Sequence, residues 1–176
     1  MALHPGFPAT DSIFIAYTYA PGSLRISRFK YNNTATPSLT GETILLSGIP
    51  ANNDHSSGRL IIGGDGMLYY TCGDRGANQF GNRCSEILSQ DLPTAGQVAS
   101  SNFTNYSGKV LRICRDGSIP SDNPVMAGVR SHIFTMGHRN AQGLVWQKNP
   151  TTGYNAVVST SGGKLFSSEH GPRTDD

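Results

Sequence analysis

The sequence predicts an all-β fold built from blades of a β-propeller. Short runs rich in β-branched and aromatic residues recur along the chain, and Gly, Asp, Asn or Pro usually separates them. No stretch keeps apolar residues at helical spacing over three turns. These two observations alone allow a sandwich, a barrel or a propeller, and an internal repeat selects the propeller.

Ten runs have the composition and the flanking residues of strands. They cover residues 13–20, 24–31, 43–48, 59–63, 67–73, 109–115, 132–137, 143–147, 155–160 and 164–168. Residues 81–107 differ, because they are polar and show no strand pattern. We therefore predict one partial propeller domain over residues 1–176, with a long inserted loop at 81–107.

The repeat is a two-strand unit with polar residues at its beginning and its end. Residues 64–76 resemble residues 161–173, and residues 55–63 parallel residues 140–147. Equivalent loops of successive propeller blades meet at one end of the central channel. We therefore expect His55, Asp74, Asn140 and His170 to converge on one site.

Composition excludes some classes of function. The 176 residues suit one domain, and the net charge of +2 without a basic stripe argues against binding of nucleic acid. No apolar run approaches the roughly 20 residues of a membrane-spanning helix, and the first residues lack the pattern of a signal peptide. Cys72, Cys84 and Cys114 form no C-x-x-C pair, which argues against a zinc site.

Two motifs place polar side chains beside strands. In "NDHSSGRL", His55 follows Asp54 at the start of a strand, where a histidine can act as a general base or can simply cap a turn with Asp54. In "MGHRNAQG", the Arg139 guanidinium suits a carboxylate ligand and lies beside His138 and Asn140. The alternative for this second motif is an ordinary polar β-turn.

Two further motifs offer ligand contacts. In "CGDRGANQF", Asp74 and Arg75 can pair, and Gln79 with Phe80 offers the amide and aromatic face that sugar sites use, as ordinary loops also do. In "SSEHGPRTDD", hard-cation ligands are available from the carboxylates of Glu169, Asp175 and Asp176 and from the backbone carbonyls around Gly171 and Pro172. The alternative for this last segment is a solvated charged end.

Together, residues 54–80, 108–124, 132–146 and 163–176 resemble the soluble glucose/sorbosone dehydrogenases that use pyrroloquinoline quinone (PQQ). The resemblance runs in order from about Leu3 to Asp176. It implies a six-bladed propeller that oxidises an aldose at its anomeric carbon and passes a hydride to the quinone. In this resemblance His55 is the general base, Asp54 orients the sugar and supports His55, and Gln79 and Phe80 contact the sugar.

The resemblance also implies the cofactors and partners. Arg139, Asn140, His170 and Asp176 fall at cofactor-contacting positions, and the carbonyl oxygens of Gly171 and Pro172 fall at the positions that bind Ca²⁺. An external electron acceptor, a secreted or periplasmic location and dimerisation are further implied properties.

Several features depart from the family pattern. Ala141 replaces a common Pro, and His170 replaces the Gln of glucose-oxidising members. The chain has residues for about three blades, so we expect it to be inactive on its own. The alternative function is a non-catalytic propeller segment that binds sugars or proteins, and a β-domain with fortuitous motifs is a third hypothesis. The combination of His55 with Arg139 and Asn140 favours the enzyme, because a binding module needs no base.

Overall fold

A computed structural model describes residues 1–77, 79–147 and 164–171, and nearly all of its regular structure is antiparallel β-sheet. The first sheet has four strands in chain order, namely β1 (Ala2–Leu3), β2 (Ser12–Ala20), β3 (Ser23–Asn32) and β4 (Ser38–Pro50). The second sheet contains β5 (Leu60–Ile62), β6 (Leu68–Cys72), β7 (Lys109–Ile113) and β10 (Ile133–Met136), again paired in that order. A hairpin of β8 (Val125–Met126) and β9 (Val129–Arg130) lies between β7 and β10 in the chain. The last sheet pairs β11 (Ala141–Trp146) with β12 (Leu165–Glu169).

The three larger sheets are arranged as successive propeller blades. The first strand of each sheet lies beside the next, because β1 packs against β5 and β11 packs against β5 and β6. The chain therefore enters β5 and β11, and leaves β6 and β12, at the same end of the assembly. This arrangement matches the partial propeller that the sequence predicts, with two four-stranded blades and two strands of a third among the described residues.

Two apolar cores fill the spaces between the sheets, and adjacent tyrosines on β6 contribute one to each. Tyr70 packs in the core between the first and second sheets, with Phe14, Leu46 and Leu111. Tyr69 packs in the core between the second and third sheets, where its ring lies 5.5 Å from Phe134 and 5.3 Å from Trp146. Successive strand residues point to opposite faces, so β6 is buried on both sides and links the two cores.

The segment predicted as an inserted loop, residues 81–107, is folded into short helical turns. Short 3-10 helices span Phe80–Asn82, Leu88–Gln90 and Thr104–Tyr106, and helix α1 spans Ala95–Ala99. Thr94 and Gln97 cap α1 reciprocally in a capping box. Phe103 and Tyr106 then pack into the first core, which anchors the end of the segment.

A buried lysine holds this segment to β7. The Nζ atom of Lys109 donates to the carbonyl oxygens of Leu88 at 3.0 Å, Ser89 at 2.8 Å and Ser107 at 2.8 Å. These three acceptors match the three donors of an ammonium group. Burial lowers the pKa of Lys109 to about 8, and the weaker influence of Cys72 and Asp91 opposes that shift.

We expect Lys109→Met to lower the free energy of unfolding of the full-length protein by roughly 3 kcal/mol, because three carbonyls, two of them buried, lose their donor. Between about pH 8 and pH 10.5 the folded protein releases the Lys109 proton before the unfolded chain does. The stability of the native protein relative to the variant should therefore rise through that range. Urea unfolding at several pH values measures both effects. Lys30→Met is the control, since Lys30 is an exposed partner of Asp11, and an equal loss in the control would contradict the anchoring role.

Most strands were predictable, and the differences occur at exposed or short elements. Every predicted run within the described residues falls on a strand, whereas the run at 155–160 lies outside them. The predicted run 43–48 lies within a longer strand, β4, whose first residues are exposed and mostly polar. The sequence pattern does not reveal β1, β8, β9 and helix α1, because elements of two to five residues carry too little periodicity to detect.

The cysteines and the helices also bear on the sequence predictions. All three cysteines lie in described residues and are unpaired, with Cys72 buried, Cys114 half-buried and Cys84 exposed. Among the described residues, no helix has both the length and the apolar character needed to cross a membrane.

Candidate active site

The centre of the candidate site is a hydrogen-bonded pair, His55 and Asp74. The Nδ1 atom of His55 lies 2.7 Å from Oδ1 of Asp74, and both side chains are buried. A carboxylate oxygen accepts hydrogen bonds, so this contact places the imidazole proton on Nδ1 and leaves the lone pair on Nε2. The pairing of Asp74 with Arg75 that the sequence suggests is wrong, because the Asp74 carboxylate contacts His55 and accepts from the Gly76 amide instead.

The backbone around His55 permits this approach only because residue 73 is glycine. His55 has a left-handed φ of 46°, and its carbonyl oxygen comes close to the chain where β6 ends. A Cβ atom at Gly73 would lie 1.7 Å from that oxygen, which no side chain can tolerate. Gly73 thus allows the loop before β5 and the loop after β6 to meet.

The other nitrogen of His55 faces Gln79 and Asp54. Nε2 of His55 lies 2.8 Å from Nε2 of Gln79, and the same Gln79 amide donates to Oδ2 of Asp54. Oδ1 of Asp54 accepts from the backbone N–H of His55 at 2.9 Å. Burial opposes ionisation of Asp54, yet the hydrogen bonds from Gln79 and His55 and the charge of Arg139 together lower the pKa of Asp54. Asp54 therefore stays a carboxylate beside the accepting nitrogen of His55.

Arg139 connects Gln79 to the strand end that precedes Gly171. One guanidinium nitrogen donates to Oε1 of Gln79, and the other donates to the His170 carbonyl at 2.7 Å and lies 3.2 Å from Nδ1 of His170. The His170 ring meets the His55 ring edge to face, with centroids 6.3 Å apart. His170, which departs from the family pattern, thus lies within the same cluster as the candidate base.

The side-chain oxygen of Asn140 is hydrogen-bonded within the protein. Its side chain is buried, and its Oδ1 atom accepts from the backbone N–H and the hydroxyl of Ser57, each at 3.1 Å. Its carbonyl oxygen accepts from the His170 N–H at 3.1 Å. Asn140 therefore joins the start of β5, the start of β11 and the end of β12.

A cleft of about 790 Å³ opens beside these residues. Its walls include Asp74, Gln79, Phe80, His138 and Arg139. Phe80 is 86% exposed and has a left-handed φ of 44°, so its ring stands at the edge of the cleft rather than in a core. The cleft combines amide, cationic and aromatic groups, which together suit a polar ligand with a flat or ring-shaped body.

Glu169 has a role different from the one that the sequence suggests. The sequence offers Glu169 as a ligand for a hard cation, but both oxygens of its carboxylate are bound within the protein. Oε1 accepts from the backbone N–H groups of Arg139 and Asn140, and Oε2 lies 3.1 Å from Nδ1 of His138. The sequence pattern does not show that β11 pairs with β12. This pairing places Glu169 opposite the loop that carries Arg139.

The predicted calcium ligands are only partly within the described residues. Gly171 is half-buried and follows His170, whereas Pro172, Asp175 and Asp176 lie outside the described residues. Among the residues that the structure describes, no group of three or more His, Cys, Asp or Glu side chains is placed to hold a metal ion. A site made of backbone carbonyls, as the resemblance implies, is a different kind of site, and Ca²⁺ stays a prediction.

Comparison with known proteins identifies the family of the chain. The family model described as Glucose / Sorbosone dehydrogenase matches residues 1–176. Quinoprotein glucose dehydrogenase B of Acinetobacter calcoaceticus is 41% identical, with 99% of this chain and 36% of that protein covered. Aldose sugar dehydrogenase YliI of Escherichia coli (strain K12) is 32% identical over 72% of this chain and 26% of that protein.

A solved structure supports the same relationship. The PQQ-bound aldose sugar dehydrogenase of Streptomyces coelicolor superposes with a TM-score of 0.70 and 30% identity, over 99% of this chain and 42% of that chain. The chain thus spans well under half the length of these relatives. A family match over all 176 residues, together with the blade arrangement, places the chain in the glucose/sorbosone dehydrogenase family.

Proposed function

We propose that the protein containing this chain oxidises an aldose at its anomeric carbon with PQQ as electron acceptor, and that His55 is the general base. The observation that carries the proposal is the 2.7 Å contact between Nδ1 of His55 and Asp74, beside an open polar cleft. The names of the relatives supply the substrate class, since they are a quinoprotein glucose dehydrogenase and aldose sugar dehydrogenases.

The proton transfer follows from the tautomer of His55. With its proton on Nδ1, His55 presents a lone pair at Nε2, which now contacts the Gln79 amide. A substrate hydroxyl that reaches Nε2 takes the place of that amide and donates its proton there as the C1–O bond becomes a carbonyl. Asp74 then stabilises the imidazolium that forms, as the carboxylate does in a Ser-His-Asp triad.

Neighbouring groups orient the sugar in this proposal. The Asp54 carboxylate and the Gln79 amide both lie on the Nε2 side of His55, so they can bind hydroxyl groups next to the reacting one. Phe80 stands at the rim of the cleft and offers an apolar face to the sugar ring. The product is the lactone, because the anomeric carbon loses one hydride while its hydroxyl loses one proton.

The residues present fit a PQQ molecule in their donor chemistry. PQQ carries carboxylate groups, and the Arg139 guanidinium on the cleft wall is a planar donor suited to them. Arg139, Asn140 and His170 would hold it, with Asp176 as a further predicted contact. When bound, the quinone supplies the two-electron acceptor for the hydride from C1. Carbonyl oxygens of Gly171 and Pro172 would bind the predicted Ca²⁺, which supplies Lewis-acid polarisation.

Other properties are proposed on the resemblance alone. They are an external electron acceptor that reoxidises the cofactor, a secreted or periplasmic location and dimerisation. The alternative, a non-catalytic segment that binds sugars or proteins, makes no use of the His55–Asp74 pair.

Reconstitution of the full-length protein tests the proposed function. We expect the apo protein to gain turnover of aldoses, measured with a reducible dye, only when PQQ and Ca²⁺ are both added, at roughly 1–10³ s⁻¹. Omission of PQQ is the matched control, and lactone or aldonic acid should form in proportion to the dye reduced. Calorimetric binding of sugar without any turnover in the loaded protein would favour the non-catalytic alternative instead.

A further inference from the structure

A chain of hydrogen bonds beside the cleft involves three side chains that the proposed chemistry does not use, those of Thr135, His138 and Glu169. The carboxylate of Glu169, at the end of β12, accepts from the backbone N–H groups of Arg139 and Asn140, the second at 3.1 Å. Its other oxygen lies 3.1 Å from Nδ1 of His138, and Nε2 of His138 lies 2.7 Å from the hydroxyl of Thr135. One side chain thus connects β12 to the whole turn between β10 and β11.

The regular pairing of β11 with β12 is interrupted at this point. Ala141 pairs with Glu169, but the register between β11 and β12 shifts between Ala141 and Gly143. The two amides that precede this irregularity, on Arg139 and Asn140, find their acceptor in the Glu169 side chain. Hydrogen bonds to a charged acceptor are stronger than those between neutral groups, so the carboxylate fixes this turn where the ladder does not.

The turn carries the side chains that the proposed function assigns to the cofactor. Arg139 extends from it to Gln79 and to the His170 carbonyl, and Asn140 extends from it to Ser57. A shift of this turn would therefore move both cofactor contacts, together with the carbonyl just before Gly171. We propose that Glu169, held by His138, is a positioning residue that fixes Arg139 and Asn140 for cofactor binding. The inference rests on the proposed function for the identity of the cofactor, but not for the hydrogen-bond arrangement itself.

Two substitutions of Glu169 test whether it acts as a hydrogen-bond acceptor. Glu169→Ala removes both acceptor oxygens, so the Arg139 and Asn140 amides lose their partner. Glu169→Gln keeps one oxygen for these amides, and its N–H group can donate to Nδ1 of His138 once the imidazole proton moves to Nε2, where the Thr135 hydroxyl accepts it. Glu42→Ala is the matched control, because Glu42 also bridges side chains within a sheet, accepting from Ser27 at 2.7 Å and from Tyr17, but it lies in the first sheet.

The experiment measures hydrogen exchange and PQQ binding in the full-length protein. In the apo form, we expect Glu169→Ala to speed amide exchange of residues 137–142 by about tenfold or more, with little change in the first sheet. Fluorescence titration with PQQ should show a dissociation constant raised by about tenfold or more, the size of loss seen in metal affinity when a group that orients a metal ligand is removed. Glu169→Gln should stay within about threefold of the native protein in both readouts, and Glu42→Ala should leave residues 137–142 and PQQ affinity unchanged.

Each result bears on a separate claim. Unchanged exchange of residues 137–142 in Glu169→Ala overturns the positioning role, as does an equal effect of Glu169→Gln or of Glu42→Ala. If the native full-length protein fails to bind PQQ while Glu169→Ala still loosens residues 137–142, then the proposed function fails and the positioning of Arg139 and Asn140 by Glu169 stands.

Discussion

Replacement of His55 by alanine is expected to lower kcat of the reconstituted full-length protein by about 10³-fold. General-base catalysis contributes about 10²–10⁴-fold, and Nε2 of His55 contacts the Gln79 amide, whereas Nε2 of His138 contacts the Thr135 hydroxyl. PQQ affinity should change little, because the proposed cofactor contacts lie on Arg139, Asn140 and His170. Steady-state dye reduction with a saturating aldose measures the loss.

The control for this prediction is His4→Ala. His4 lies by Arg115 at a separate cavity, so its removal should leave turnover unchanged. Thermal melting and PQQ titration of each variant show whether the fold and the cofactor site survive. If His55→Ala keeps more than about a tenth of native turnover, the general base is another group.

Asp74→Asn is expected to lower kcat by about 10² to 10⁴-fold, with a smaller change in KM. An asparagine amide can donate to Nδ1 of His55, which would move the imidazole proton to Nε2 and remove the accepting lone pair. The equivalent change in a Ser-His-Asp triad costs about 10⁴-fold for this reason. Because Asp74 is only 7% exposed and its carboxylate contacts Nδ1 of His55, its loss should affect proton transfer more than sugar binding.

Asp116→Asn is the matched control, since the exposed Asp116 carboxylate binds only the Ser118 backbone and hydroxyl among its described contacts. Initial rates over a range of aldose concentrations separate kcat from KM for both variants. An Asp74→Asn enzyme with native kcat and a raised KM would show that Asp74 serves sugar binding and not the orientation of His55.

The fold was predictable from the sequence where strands repeat with their flanking polar residues. The same unit surrounds β5 with β6 and β11 with β12, and this repeat predicts that His55, Asp74, Asn140 and His170 lie at one end of the propeller. The folded chain brings these four together through the contacts between His55 and Asp74, between the His55 and His170 rings, and between His170 and Asn140. Their roles as base and cofactor ligands remain proposals.

The hydrogen-bond partners of Asp74 and Glu169 were not predictable in the same way. Asp74 precedes Arg75 in the chain, and the nearest opposite charge in sequence was the natural candidate partner. The buried contact with His55 depends on the close approach at Gly73, which only the folded backbone reveals. From the sequence, Glu169 is one candidate ligand for a hard cation. Its acceptor role toward Arg139 and Asn140 is not visible there, because it depends on an irregular register between β11 and β12.

The most direct test of the proposed mechanism is a single-turnover experiment on the full-length protein loaded with PQQ and Ca²⁺. The native protein and the His55→Ala variant are each mixed with an aldose in the absence of oxygen and dye. The absorbance of the bound cofactor is then followed in time. We expect rapid reduction in the native protein and reduction slowed by about 10³-fold in the variant. Equal rates in the two proteins, or no reduction in the native protein despite bound PQQ and sugar, would contradict the mechanism.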